Sequence, residues 1–249
     1  MNRFDNHTVL VTGGSSGIGL AAAKAYAREG ARVVITGRDE AALARAQAEI
    51  GQDAIAVRND AGSLSEAQRL AATLQAQGLQ LDAIFINAGV ARFAPLADVA
   101  ESLWDDTFNA NVKGPYFQIQ ALVPLLRRGA AIVINGSINA HIGMPNSSVY
   151  AASKAALISL AKTLSAELLP RGARVNVVSP GPISTPLYGK LGMDSATLQA
   201  TAAAIQDQIP LGRFGTPEEL ASTVLHLSAK ESAFIVGSEI IVDGGMSTL

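Results

Sequence analysis

The chain has 249 residues, 49% of them hydrophobic, and a formal net charge of −2 at pH 7. That is enough apolar material for a large core, and the near-neutral charge gives no electrostatic case for nucleic acid or an anionic membrane as a partner. With no cysteine and only His7, His141 and His226 scattered along it, the sequence offers no disulfide, no thiolate site and no ligand spacing for a metal. Met1–Asp5 is too polar to open a signal peptide, and no apolar run approaches the length of a membrane span. The expectation is a soluble, cytoplasmic protein. Nothing resembling a linker, a low-complexity stretch or a charge block divides it, so residues 1–249 are read as one domain.

The first element is a short apolar run, Val9-Leu10-Val11, that stops at Thr12-Gly13-Gly14-Ser15-Ser16-Gly17-Ile18-Gly19. A helical pattern through Leu20, Ala21, Ala23, Ala25 and Tyr26 follows, to about Glu29. Glycines permit a tight turn and a close approach to a pyrophosphate, and the new helix aims free N–H groups and a positive dipole end at the anion. A glycine-rich turn often only joins a strand to a helix. Here the strand before and the helix after supply the context of a dinucleotide-phosphate site, so Gly13, Ser15, Ser16, Gly17, Ile18 and Gly19 are candidate cofactor contacts.

Arg32–Gly37 reads as a second strand, Asp39–Ile50 as a second helix and Ala54–Val57 as a third strand. A helix to about Gln77 and a strand at Leu81–Ile86 follow. The second half repeats the scheme, with a long helix over about Asp105–Arg127, a strand at Ala131–Asn135 and a helix at Val149–Leu169. Arg174–Val178 (strand), Pro217–Leu227 (helix) and Ile240–Val242 (strand) complete it. Apolar strands alternating with helices predict an α/β fold, a doubly wound parallel sheet of Rossmann type with ligands at the carboxyl ends of its strands.

In such a sheet the end of the second strand meets the adenosine ribose, where an acid binds a 2′-hydroxyl and an arginine accommodates a 2′-phosphate. The strand ends Ile35-Thr36-Gly37-Arg38-Asp39. Asp39 stands about twenty residues past the glycines, as a ribose acid would, but its place before Glu40-Ala41-Ala42-Leu43 suits a helix cap better. Gly37 holds the acid's expected place and Arg38 offers a planar charged fork, so NADP(H) is expected over NAD(H). Asp60 ends the third strand, where a loop residue or helix cap is the plain alternative. Asn87-Ala88-Gly89 ends the fourth, with small residues that let backbone lie against a cofactor.

Tyr150-Ala151-Ala152-Ser153-Lys154 opens a helix, and the i, i+4 spacing puts phenol and ammonium on one face. A free tyrosine titrates near pH 10, and a neighbouring cation favours phenolate, which makes such a pair acid/base machinery. The pair gains meaning from Ser137 at a strand end and from Asn111 in Asn111-Val112-Lys113-Gly114.

These motifs together resemble the short-chain dehydrogenase/reductase family, over about Thr8 to Gly245. Thr12-Gly13-x-x-x-Gly17-Ile18-Gly19, Asn87-Ala88-Gly89, Asn111, Ser137, Tyr150-x-x-x-Lys154 and Pro180-Gly181-x-Ile183-x-Thr185 fall in the family's order and spacing. Within it the chain is most similar to NADPH-dependent bacterial alcohol dehydrogenases and carbonyl reductases. The resemblance implies that Tyr150 passes a proton to the carbonyl oxygen, that Ser137 holds that oxygen, and that Lys154 lowers the tyrosine pKa and bonds the nicotinamide ribose. It implies that Asn111 holds a water linking Lys154 to solvent, that Asp60 with the adjoining Ala61 meets the adenine, and that Pro180, Gly181, Ile183 and Thr185 meet the nicotinamide side. It implies no metal. Two departures stand out: Gly136 precedes Ser137 where the family more often has serine, and Ala140-His141 follows where a glycine is common.

The stretch of about 184–214 is long enough to act as a substrate lid, and carries Leu187, Tyr188, Leu191, Ile205 and Ile209. With Phe93 and Met144 as possible walls, it points to a neutral, rather hydrophobic ketone or secondary alcohol. His141 either lines the cleft or sits on a loop. Arg127-Arg128 is the one basic pair an acidic carrier protein would use, and a solvated helix end explains it equally. The small and apolar circumference of Val149–Leu169 predicts a subunit interface, and such relatives are usually tetramers. Two alternatives remain: a 3-oxoacyl-[acyl-carrier-protein] reductase, and a non-catalytic dinucleotide-sensing protein, which would be expected to have lost Tyr150 or Lys154.

Overall fold

In the computed structural model, which describes residues 2–185 and 195–249, seven strands run parallel in one sheet. They are β1 (Thr8–Val11), β2 (Arg32–Gly37), β3 (Ile55–Arg58), β4 (Leu81–Ile86), β5 (Leu126–Asn135), β6 (Arg174–Pro180) and β7 (Glu239–Val242). Their order is β3-β2-β1-β4-β5-β6-β7, so the winding reverses between β1 and β4. The helices are α1 (Gly17–Arg28), α2 (Glu40–Ile50), α3 (Leu64–Ala76), α4 (Glu101–Phe108), α5 (Gly114–Leu122), α6 (Ser148–Leu168), α7 (Ser195–Gln206) and α8 (Pro217–Ser228).

The near-continuous apolar strands have a simple cause: both faces of the sheet are covered, so residues of either parity must be buried. In β1, Val9 and Val11 pack with Ala22, Tyr26, Leu43, Leu220 and Val224, on the face carrying α1, α2 and α8. Leu10 points the other way, into a cluster with Leu70, Leu74, Ile119, Leu122 and Leu157 from α3, α5 and α6. The fully buried Tyr26 finds a partner for its hydroxyl in Ser228 Oγ at 2.5 Å, tying α1 to α8.

Two sequence expectations need correction. The helix read over about Asp105–Arg127 begins at Glu101, widens to a π turn at Asn109–Lys113, and resumes as α5. Pro115 explains the break, because it has no N–H to donate to the carbonyl of Asn111 four residues back. A single 3-10 turn at Val123–Leu125 then leads into β5, which starts at Leu126 rather than Ala131. Arg127 and Arg128 therefore open a strand and do not form a helix end. Arg127 pairs with Asp82 at 3.6 Å, at the amino end of the sheet.

Within the expected lid the structure describes α7 and the chain from Asp207 onward, while Leu187, Tyr188 and Leu191 lie outside the described residues. Ile209 is buried against the chain's end, with Leu211 N–H donating to Gly244 O at 3.2 Å. It is a packing residue. No described helix is long and apolar enough to cross a membrane.

Candidate active site

The site is assembled where the strands end. β1 stops at Thr12, whose buried hydroxyl accepts the N–H groups of Asn87 and Ala88 at 2.9 and 3.0 Å. Asn87 returns the contact, its Nδ2 donating to Thr12 O and Gly13 O at 3.0 and 3.3 Å. The glycine turn is thus bonded to the neighbouring strand's end. Gly13 and Gly17 have φ of +64° and +52°, the left-handed region that L side chains avoid. Gly19, on the first turn of α1, lets that turn close: an added Cβ would lie 2.2 Å from Gly13 O. Ser16 precedes α1 in an extended conformation and its side chain caps none of the helix amides. Ser15, Ser16 and Ile18 therefore frame a helix start whose first N–H groups face outward from the turn, the chemistry a pyrophosphate needs.

At the end of β2, Asp39 Oδ1 accepts Ala42 N–H at 3.0 Å, so Asp39 caps α2. Arg38 is exposed, and a Cβ at Gly37 would lie 3.1 Å from Ser15 Oγ. The glycine turn and the arginine are neighbours there. At the end of β3, Asp60 Oδ1 accepts Gly62 N–H at 3.1 Å, and Ala61 packs so closely on Gly114 that no side chain fits there.

Asn111 occupies the π turn between α4 and α5 and is 1% exposed. Its Oδ1 accepts Val90 N–H at 2.8 Å, and its Nδ2 donates to Val90 O at 2.9 Å and Ser153 Oγ at 3.1 Å. The side chain is engaged in clamping the loop segment after Gly89 to α6. Both Nδ2 hydrogens are thus spent, leaving the side chain no N–H for the water that the resemblance implies at Asn111. Gly89 lies beside the clamp, 2.9 Å separating a would-be Cβ from Asn111 Oδ1.

β5 ends at Asn135, a site residue that sequence reasoning missed. Asn135 Nδ2 donates to Asn87 Oδ1 at 3.0 Å, and its main-chain O accepts the Lys154 ammonium at 2.7 Å. Its Oδ1 is a buried acceptor without a hydrogen-bond partner in the structure. The signal in the sequence is only a polar residue ending an apolar strand.

Ser137 follows in extended backbone and N-caps a single 3-10 turn, Ile138–Ala140, its Oγ accepting Asn139 N–H at 3.2 Å. Tyr150 and Lys154 face it from the first turns of α6. Burial raises the Tyr150 pKa above its usual value, and the Ser137 hydroxyl partly offsets this. Burial also pushes the Lys154 ammonium down to about 8. The lowering of the phenol by Lys154 that the resemblance implies is not among the influences acting on Tyr150 in this arrangement. Lys154 Nζ stands over the face of the Tyr150 ring, 5.7 Å from its centroid, and spends a bond on Asn135 O, not on the phenolic oxygen.

Phe93 meets the Tyr150 ring edge-on at 5.6 Å, and Met144 Sδ accepts from Asn139 Nδ2 at 3.4 Å, so both border the Ser137–Tyr150 pair. His141 Nε2 bonds Glu239 Oε1 at 2.7 Å, at the start of β7. After β6, Pro180 and Gly181 lead into Ile183, which is buried and bridged to Gly215, with Thr185 two residues on. Gly181 packs against Asp243 near the chain's end, with 2.6 Å between a would-be Cβ and Asp243 Cβ. Among the described residues, no group of three carboxylate or imidazole side chains is placed to hold a metal.

Residues 13–247 match the family model described as enoyl-(acyl carrier protein) reductase, a short-chain dehydrogenase model. A 2-(S)-hydroxypropyl-CoM dehydrogenase of Xanthobacter autotrophicus is 33% identical over 100% of this chain and 99% of its own. Among solved structures, a short chain dehydrogenase/reductase family protein is 40% identical, with a TM-score of 0.85 over 99% of this chain and 100% of its own. A Pseudomonas aeruginosa RhlG/NADP active-site complex is 33% identical, with a TM-score of 0.92 over 99% of this chain and 100% of its own. The chain belongs to the short-chain dehydrogenase/reductase family of oxidoreductases.

Proposed function

We propose that this family member is an NADP(H)-dependent carbonyl reductase, reversible as an alcohol dehydrogenase, acting on a neutral, fairly hydrophobic ketone or secondary alcohol. The observation that carries the reading is the meeting of Ser137, Tyr150 and Lys154 at the carboxyl ends of the strands, beside a glycine turn built for a pyrophosphate. The residues present fit the dinucleotide. Gly13 and Gly19 leave a cradle that side chains would fill, Asn135 Oδ1 offers an unpaired acceptor, and Arg38 with Ser15 flanks Gly37, where a ribose acid would stand.

When bound, the reduced nicotinamide supplies the hydride. Tyr150, a phenol and so protonated at neutral pH, gives its proton to the carbonyl oxygen. Ser137 donates a hydrogen bond to the same oxygen and stabilises the charge that develops there. Lys154 supplies the positive charge that meets the resulting phenolate and reaches toward the nicotinamide ribose, and a water at Asn111 returns the proton from solvent. Asp60, Ala61, Ala88, Gly89, Pro180, Gly181, Ile183 and Thr185 would hold the dinucleotide, the first two toward its adenine and the last four toward its nicotinamide. Phe93 and Met144 form apolar walls for the substrate.

The description of the matching family favours a second reading, reduction of an acyl-carrier-protein thioester. Against it, the one basic pair noted for such a partner opens β5 at the amino end of the sheet, opposite the site, and Arg127 is paired with Asp82. A non-catalytic sensor is disfavoured by the complete acid–base set. We also place a homotetramer contact on the face of α4, α5 and α6. There Trp104 stacks on Phe108 at 4.7 Å yet is 47% exposed, beside a cleft of about 400 Å³ lined by Val112, Tyr116, Phe117 and Leu160.

The test is a fluorescence titration with NADPH and NADH side by side, followed by turnover of aryl ketones against an acetoacetyl thioester. Tighter NADPH binding with faster ketone turnover supports the reading. Tighter NADH binding, or turnover of the thioester alone, overturns it.

A further inference from the structure

The two departures around Ser137 meet at one carboxylate. Gly136 is bonded to β6 through its N–H, which donates to Val178 O at 2.8 Å. A side chain there would put its Cβ 2.4 Å from Ser179 Oγ and 2.8 Å from Val177 Cγ1. Serine at 136 is therefore excluded by Ser179, which is wholly buried and donates to Glu239 Oε1 at 2.5 Å. Glu239 is the first residue of β7, paired with Val177, and its side chain is 16% exposed. Its Oε1 also takes the bond from His141 Nε2 at 2.7 Å.

His141 is the residue that closes the 3-10 turn begun by Ser137, its N–H donating to Ile138 O at 2.8 Å. Ser137 thus opens a three-residue turn, bonded within itself and anchored by the buried Ile138, whose exit residue His141 finds a side-chain partner in Glu239. The imidazole–carboxylate bond holds it, and Ser179 aims the carboxylate.

We propose that His141, Glu239 and Ser179 are positioning residues for Ser137, fixing the turn that carries its hydroxyl against the edge strand. The proposal rests on the hydride-transfer reading above, in which Ser137 holds the substrate oxygen. A hydroxyl misplaced by about 1 Å costs on the order of 100-fold in rate, so partial release of the turn is expected to cost about tenfold in kcat. Since the three side chains touch neither glycine turn nor Tyr150, cofactor affinity should not change.

The experiment is a double-mutant cycle in the full chain, on the aryl ketone reduced fastest, with thermal unfolding and NADPH affinity measured for each variant. H141A is expected to lower kcat about tenfold with KM and NADPH Kd within twofold, and E239A to match it. E239Q, whose Oε1 still accepts both donors, is expected to restore most of the rate. In an S137A background, H141A should cost less than twofold, because the group it positions is gone. H141A with unchanged turnover, or with the same loss in both backgrounds, overturns the positioning role while leaving the hydride-transfer reading in place. S137A with undiminished turnover overturns that reading and this inference together.

Discussion

Lys154 is held in the fold at a cost, and replacing it with methionine should expose that cost. The ammonium is 5% exposed and makes one hydrogen bond, to Asn135 O at 2.7 Å. Burial pushes its pKa from 10.5 down to about 8. At about 1.4 kcal/mol per pH unit, that fall corresponds to roughly 3 kcal/mol of destabilisation at pH 7. Methionine removes the charge at similar length, and leaves Asn135 O without its donor, a loss of about 1–2 kcal/mol. K154M is therefore expected to be more stable than the native chain by roughly 1–2 kcal/mol at pH 7, a rise in Tm of about 3–6 °C for a chain of this size. The pH dependence has a definite sign. The folded-state pKa lies below the unfolded one, so between about pH 8 and 10.5 the unfolded chain binds the proton that the folded chain has lost, and native stability from this group rises. By pH 9.5 roughly 2 kcal/mol of the methionine's advantage should be gone. Calorimetric melts of both proteins at pH 7 and 9.5 measure this directly. A K154M that melts below the native chain at pH 7, or a difference that does not change with pH, would refute the account of a buried, strained ammonium.

Four further outcomes follow from the same geometry. Y150F should cut kcat by about two orders of magnitude or more, the usual worth of a positioned acid, with NADPH binding retained; stopped-flow turnover at saturating ketone checks it. R38D should reverse the preference between NADPH and NADH, read as the ratio of Kd values, and an unchanged ratio would remove Arg38 from the phosphate pocket. T12V leaves the N–H groups of Asn87 and Ala88 without their acceptor, so it should cost roughly 2 kcal/mol or more and lower the Tm by about 5 °C or more. Sedimentation velocity at micromolar concentration should give a tetramer for the native chain and smaller species for W104E, which puts a charge on the exposed α4–α6 face.

The fold was legible because its determinants are local or periodic. Apolar runs such as Val33-Val34-Ile35 and Ile84-Phe85-Ile86 are buried on both faces of the sheet, and a parallel, doubly covered sheet is what demands such runs. The glycine turn was legible for the same reason, since the left-handed backbone at Gly13 and Gly17 is written directly into residue type. The corrected features depend on information of another kind. The π turn at Asn109–Lys113 keeps the helical period closely enough to read as one helix, and only the missing N–H of Pro115 marks it. Arg127 looked like a free cation because Asp82, 45 positions away in sequence, becomes its neighbour only when β4 and β5 pair. The Tyr150–Lys154 spacing gave the shared face but not the bond that holds the ammonium. Which oxygen the ammonium reaches depends on Asn135, contributed by a different strand.

One regularity connects these points. Four polar residues at or next to the carboxyl ends of apolar strands, Thr12, Asn87, Asn135 and Ser179, bond to a neighbouring strand or to the segment that follows it. Thr12 after β1 accepts from Asn87 and Ala88 after β4, Asn87 donates back to the glycine turn, Asn135 of β5 donates to Asn87, and Ser179 of β6 donates to Glu239 of β7. Buried polar groups are costly unless paired, and when paired across strands they fix geometry that hydrophobic packing leaves loose. Two sets of bonds result: one joins the ends of β1, β4 and β5, where Asn135 O also holds Lys154, and the other ties β6 to Glu239 and His141, with Ser137 between Asn135 and His141 in the chain. A reaction that needs a proton donor, a hydroxyl and a cation held within a fraction of an ångström is better served by such a row than by mobile loops. On this argument the glycine turn and Lys154 are tied together through Asn87 and Asn135. A change at Thr12 or Asn135 should therefore be felt in both nucleotide affinity and turnover, whereas a change at His141 should be felt in turnover alone.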